Sequence, residues 1–169
     1  MAETRDVPTL AGEIIATLTD RNHSVATAES LTGGLVCAAL TEVPGASAVV
    51  LGGVVSYAVT VKAEVLGVDP GLLARVGAVD PAVAVAMAQG VQRLLGATYG
   101  VATTGAAGPD PAPGGEQSAP VAPGRGFVAV AGPRAEAVQG FAVEPRGREM
   151  VRLAAVQAAL RLLAAELAI

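Results

Sequence analysis

Apolar and polar positions alternate between two periods along this chain. Leu10, Ile14, Ile15 and Leu18 recur at helical spacing and predict a first helix over residues 9–20. Residues 24–28 predict a short strand. Residues 31–42 predict a helix ended by Pro44-Gly45. The valine-rich stretch 48–57 predicts a strand, and residues 60–66 a short helix. Asp69-Pro70 and Asp80-Pro81 each set a capping side chain before a proline, the pattern of a helix start. The second opens a long helix to about Leu95. Residues 99–104, 126–131 and 136–143 predict three more strands, the last two joined by a turn at Gly132-Pro133. From about Gly147 a final amphipathic helix carries Met150, Leu153, Val156, Leu160 and Leu163 on one side.

Strands alternating with helices, then a hairpin and a helix, predict one layered α/β domain. Its central sheet is expected to be mostly parallel or mixed, with helices on both faces. The length of 169 residues fits a single domain, expected to span 1–169 with residues 1–8 as a flexible tail. Residues 108–125 are nearly all loop formers, and a loop that long in a compact domain is usually mobile or part of a site.

Composition narrows the function. The apolar fraction is 52%, but no run reaches the ~18 residues of a membrane span. That fraction comes largely from Ala and Val, so the core is expected to be layers of small side chains. The start of the chain does not read as a signal peptide, and the single cysteine, Cys37, fits a reducing cytoplasm. The net charge of −4 argues against a nucleic-acid partner. One histidine (His23) and one cysteine make a zinc site improbable. Neither a metal nor a cofactor is expected.

Four segments carry candidate chemistry. Ala28-Glu29-Ser30-Leu31-Thr32-Gly33-Gly34 joins a strand end to a helix start, where Ser30 is either a plain cap or a hydroxyl beside free N–H groups. Gly33 and Gly34 would admit a ligand close to the backbone. Lys62 is the only lysine, five residues after Tyr57, one of two tyrosines. Burial among Val and Gly would lower its pKa, and a neutral amine is a competent base for a hydroxyl. Thr103-Thr104-Gly105-Ala106-Ala107-Gly108-Pro109-Asp110 is a second strand end with a glycine-rich turn, in which Asp110 reads equally well as a local cap. Arg146, Arg148 and Arg152 near the last helix start are either a solvated face or a phosphate clamp.

Together these segments resemble the CinA C-terminal domain family, the nicotinamide-nucleotide amidohydrolases. The likeness rests on the segment around Ser30, on Gly52-Gly53-Val54-Val55-Ser56-Tyr57 with Lys62, on Leu66-Gly67-Val68, on the segment 104–110, and on Arg148 with Arg152. It implies an α/β fold, a homodimer, a small nucleotide as partner, and hydrolysis of nicotinamide mononucleotide to nicotinic acid mononucleotide and ammonia. It also implies Ser30 as nucleophile with Lys62 and Tyr57 as catalytic partners. Thr32, Gly33, Gly34, Thr104, Gly105, Ala107 and Arg148 would bind substrate, with N–H groups near Thr32 and Gly33 holding the oxyanion. The chain differs from the family pattern at residues 58–61, which are apolar here, and in the longer, proline-rich loop 108–125. Those differences keep two alternatives open: a nucleotide-binding or regulatory module without turnover, and an amidohydrolase for another small amide.

Overall fold

A computed structural model describes residues 5–169. Eleven elements build the layers: α1 (Val7–Asp20), β1 (Val25–Glu29), α2 (Leu35–Thr41), β2 (Val50–Val55), α3 (Val59–Glu64), α4 (Pro70–Val76), α5 (Pro81–Leu95), β3 (Tyr99–Ala106), β4 (Arg125–Ala131), β5 (Glu136–Ala142) and α6 (Arg148–Glu166). The strands form one sheet in the order β2-β1-β3-β4-β5. The first three run parallel, and β4 and β5 are antiparallel. The expected layered α/β architecture is therefore present, with a mixed sheet.

The alternation of side chains along the strands divides the core in two. Val25, Val101, Val128 and Val130 face α1, α2 and α6 together with Ile14, Leu18, Leu40, Leu160 and Leu163. Ala26, Ala28, Ala102, Ala129 and Ala131 face the opposite way, against Val83, Ala84, Met87 and Val91 of α5. That second layer is almost all alanine, which lets α5 lie close on the sheet. Gly100 of β3 shows how close: a Cβ on it would strike the Ala88 carbonyl of α5.

Asp6, Asp69 and Asp80 cap α1, α4 and α5 through N–H groups at 2.8–2.9 Å. Helix α1 starts at Val7, so Asp6 to Pro8 belong to a capped helix and not to a tail; residues 1–4 of that expected tail lie outside the described residues. Helix α2 is shorter than predicted. It begins at Leu35 because Gly33 and Gly34 adopt left-handed conformations, with φ of 60° and 101°.

The long loop is docked. Glu116 and Gln117 donate N–H bonds to the Ala74 and Arg75 carbonyls at 2.9 and 2.8 Å, and the Ser118 hydroxyl donates to Val76 at 2.8 Å. These carbonyls end α4 and would otherwise lack partners. Ala112 and Val121 exchange two backbone bonds at the stem of the loop, each 2.9 Å.

Candidate functional site

The parallel strands β2, β1 and β3 end side by side, with Glu29 opposite both Val55 and Thr103. Open α/β sheets bind ligands at such strand ends. Ser30 is the first residue past β1. Its N–H donates to the Thr103 carbonyl at 3.0 Å, and the Ser56 N–H donates to the Glu29 carbonyl at 2.8 Å. The ladder thus continues one step beyond the sheet and fixes the serine backbone.

Lys62 reaches this point from α3. Its side chain is 1% exposed, among the largest fully buried side chains of the protein. Nζ lies 3.0 Å from Ser30 Oγ, 2.6 Å from the Ser56 carbonyl oxygen and 3.3 Å from that of Tyr57. Burial lowers the amine pKa from 10.5 to about 8, so about one molecule in ten carries it neutral at pH 7. A neutral amine has two N–H bonds and one lone pair. The two carbonyls take the N–H bonds, which leaves the lone pair for the serine hydroxyl.

Glu29, beside the serine, is 1% exposed and joins neither ion pair found among the described residues. Its carboxylate accepts from the N–H groups of Gly34, Val36 and Cys37 at 3.0, 3.0 and 2.8 Å, and from the Thr27 hydroxyl at 3.2 Å. The free end of α2 is therefore already occupied by an anion of the chain itself. The Gly33 N–H is also used, by the Ser30 carbonyl at 3.1 Å. Of the two N–H groups expected to hold an oxyanion, that of Gly33 is thus taken, and that of Thr32 has no partner among the described residues.

The expected close approach at Gly33 and Gly34 is met by protein atoms. A Cβ on Gly33 would lie 3.3 Å from an Arg152 guanidinium nitrogen, and one on Gly34 would lie 3.7 Å from a methyl of Val55. Arg152 donates to the Leu31 and Thr32 carbonyls at 3.0 and 2.9 Å. The Thr32 hydroxyl is buried against that of Thr103 at 2.7 Å. Thr32, Gly33 and Gly34 form a brace behind the serine and do not line the cleft in front of it.

That cleft has a volume of about 410 Å³. Small-molecule sites span roughly 300–1,000 Å³. Ser30, Lys62, Tyr57, Thr104, Gly105, Ala107 and Arg148 all border it. Thr104 is fully buried and donates its hydroxyl to the Ala78 carbonyl at 2.6 Å, tying β3 to the turn before α5. Tyr57 points outward and is 62% exposed. Its hydroxyl accepts from Arg148 at 3.2 Å, and the same guanidinium donates to the Gly108 carbonyl. The phenol thus meets Arg148 and not the lysine; Tyr57 reaches Lys62 through its backbone carbonyl. Arg146 pairs with Glu144 on the exposed surface.

A larger groove of about 590 Å³ lies between residues 118–122 and the β4–β5 edge. Of its polar side chains, Asp80 and Ser118 are bonded to backbone and Arg125 has no bonded partner among the described residues, and it holds no paired nucleophile and base. The paired hydroxyl and amine of Ser30 and Lys62 lie in the smaller cleft. Among the described residues no cluster of three His, Cys, Asp or Glu side chains is placed to hold a metal ion. No helix among them is long and apolar enough to cross a membrane.

Sequence reasoning missed the Glu29 clamp. The available signal was an acidic residue at the end of a buried strand, six residues before a helix with no capping side chain.

The fold and site define a class: an α/β domain that holds a buried lysine against a serine at the ends of parallel strands. The family model for the CinA C-terminal domain matches residues 7–167, and the chain belongs to that family. It is 48% identical over 153 residues, 90% of its length, to a CinA-like protein of Frankia casuarinae. It is 45% identical over 163 residues to a CinA-like protein of Synechococcus sp.. The chain spans 34% and 38% of those two relatives, about a third of their length. It superposes on the competence/damage inducible protein CihA of Agrobacterium tumefaciens with a TM-score of 0.87 and 38% identity, over 98% of this chain and 97% of that one. A CinA superfamily protein from Enterobacter cloacae superposes at 0.89 with 28% identity, over 99% of this chain and 95% of that one.

Proposed function

We propose that this chain is an amidohydrolase that converts nicotinamide mononucleotide to nicotinic acid mononucleotide and ammonia, with Ser30 as nucleophile and Lys62 as its base. The observation that carries the reading is the 3.0 Å contact between Lys62 Nζ and Ser30 Oγ, made by an amine whose burial lowers its pKa to about 8. The nucleotide substrate follows from the family resemblance. The cleft volume and the Arg148 guanidinium on its wall agree with it.

In this mechanism neutral Lys62 accepts the Ser30 proton as Oγ attacks the carboxamide carbon. The N–H groups of Leu31 and Ala107 border the cleft and have no partner among the described residues. They are the donors available to the oxyanion, a contribution of roughly 3–4 kcal/mol per well-placed donor. The C–N bond then breaks, and the Lys62 ammonium returns its proton to the departing nitrogen, which leaves as ammonia. Water attacks the acyl-serine with Lys62 again as base, giving the carboxylic acid and free Ser30. Arg148 binds the phosphate, and Tyr57 steadies Lys62 through its carbonyl.

The experiment is ammonia release from nicotinamide mononucleotide by wild type, Ser30→Ala and Lys62→Arg. Both variants are expected to lose at least about a thousandfold in turnover. The arginine keeps the charge but cannot deprotonate, so near-normal turnover by Lys62→Arg would remove the lysine as base. Turnover of other small amides at equal or higher kcat/KM would replace the substrate and leave the mechanism.

A further inference from the structure

Five aspartates occur in this chain, and three of them, Asp6, Asp69 and Asp80, cap helices through their carboxylates. Asp110 does not. It follows a turn, where an aspartate usually bonds a nearby backbone N–H, yet its side chain makes no hydrogen bond and joins neither ion pair found among the described residues. The ordinary structural reason for an aspartate at this point is therefore missing.

Its position is nonetheless fixed. On one side the Gly108 carbonyl accepts from Arg148. On the other, Ala112 is bonded in both directions to Val121 at 2.9 Å. Asp110 is held between these two anchors, exposed, on the wall of the cleft that contains Ser30 and Lys62. It is the sole acidic residue among those that line the cleft, and Arg148 is the sole arginine. Asp110 is thus the one anion facing two cationic groups of the cleft, the Arg148 guanidinium and the buried Lys62 amine, and is bonded to neither.

We infer that Asp110 is a specificity-determining residue whose carboxylate selects substrates with a cationic ring, so that with Arg148 the cleft favours a zwitterion: a positive heterocycle joined to a phosphate. This rests on the proposed amidohydrolase reading and deepens it. A pyridinium amide is distinguished from a neutral amide of the same shape by charge alone. The cation is also what makes the carboxamide carbon electron-poor, so the same group serves recognition and reactivity. A carboxylate within a few ångströms of a cation at a partly solvated wall is worth about fivefold in affinity.

The test compares two nucleotides in a Ser30→Ala background, where no turnover intrudes. Nicotinamide mononucleotide has a charged ring; its dihydro form carries the same carboxamide, ribose and phosphate on a neutral ring. Calorimetric titration of each is made with and without Asp110→Asn. The expected result is a loss of about fivefold for the charged ring and a change below about twofold for the neutral one. Asp110→Glu should restore the preference, and raised salt should narrow it in the aspartate form alone. Equal loss for both nucleotides, or no loss for either, overturns the inference. Binding with the expected selectivity but no ammonia release by wild type removes the hydrolase reading and leaves the charge selection. Failure to bind either nucleotide removes both.

Discussion

Lys62 Nζ and Ser30 Oγ lie 3.0 Å apart although 32 positions of sequence separate them. The contact depends on an amine from α3 crossing beneath the ends of β1 and β2. Its first consequence is a pH profile. The proposed mechanism requires the base form of Lys62, and burial sets its pKa near 8. On this account kcat/KM rises about tenfold per pH unit below pH 8 and levels above it. A profile flat between pH 6 and 9 would contradict the assignment.

Burial of Lys62 also carries a stability consequence. Its folded pKa of about 8 lies below the ordinary 10.5, so between these values the unfolded chain binds more protons. The penalty is fully present below pH 8, on the order of 3 kcal/mol, and fades as pH rises toward 10.5. Lys62→Met removes the charge at similar volume but leaves two carbonyls without a donor. We expect a net gain of about 1–2 kcal/mol at pH 7, a few degrees in Tm, together with loss of activity. The gain should vanish by pH 10 in thermal melts.

Glu29 should matter for stability more than its place beside a nucleophile suggests. Glu29→Ala leaves three N–H groups at the start of α2 without their acceptor. Urea unfolding should show a loss of about 3–5 kcal/mol. Glu29→Gln, which keeps shape but sets an NH₂ against these donors, should lose about half as much. A loss below about 1 kcal/mol for the alanine variant would mean that water replaces the carboxylate without cost.

Tyr57→Phe separates the phenol from the peptide carbonyl of the same residue. The carbonyl bond to Lys62 remains, so the pH midpoint should not move. The lost partner is Arg148, at the mouth of the cleft. KM should rise severalfold with kcat within about threefold. A collapse of kcat with unchanged KM would instead place the phenol in proton transfer.

The docked loop offers a fifth check. Gly115 lies so close to the backbone of Arg75 and Gly77 that a Cβ would collide with both. Gly115→Val should lift residues 114–118 from the end of α4, seen as faster amide exchange at Glu116 and Gln117 and new protease cleavage in the loop. The Ala112–Val121 stem walls the cleft, so KM should rise as well. Unchanged exchange at Glu116 and Gln117 would show that the loop does not depend on this contact.

Much of this protein was legible from local chemistry. The aspartate–proline pairs marked the starts of α4 and α5 because capping and a fixed φ act within a few residues. The alternating runs marked the strands because the two-residue period of a strand decides which side chains are buried. The rarity of Lys62 and its place after a valine-rich strand pointed to a buried amine. Thr32 and the two glycines were read as a site for a ligand because a strand end followed by glycines presents free N–H groups in isolation. Only the packed chain shows the Gly34 N–H given to a carboxylate from the preceding strand and the Thr32 carbonyl taken by Arg152, 120 residues away. Likewise nothing local shows that the loop beyond Asp110 is pinned to α4, or that Asp110 itself is left without a partner. Sequence alone determined the elements, the layers and the residue types able to react, since these follow from period and neighbouring side chains. Tertiary structure decided which polar groups are spent on one another and which face the cleft, because that depends on contacts between segments far apart in the chain.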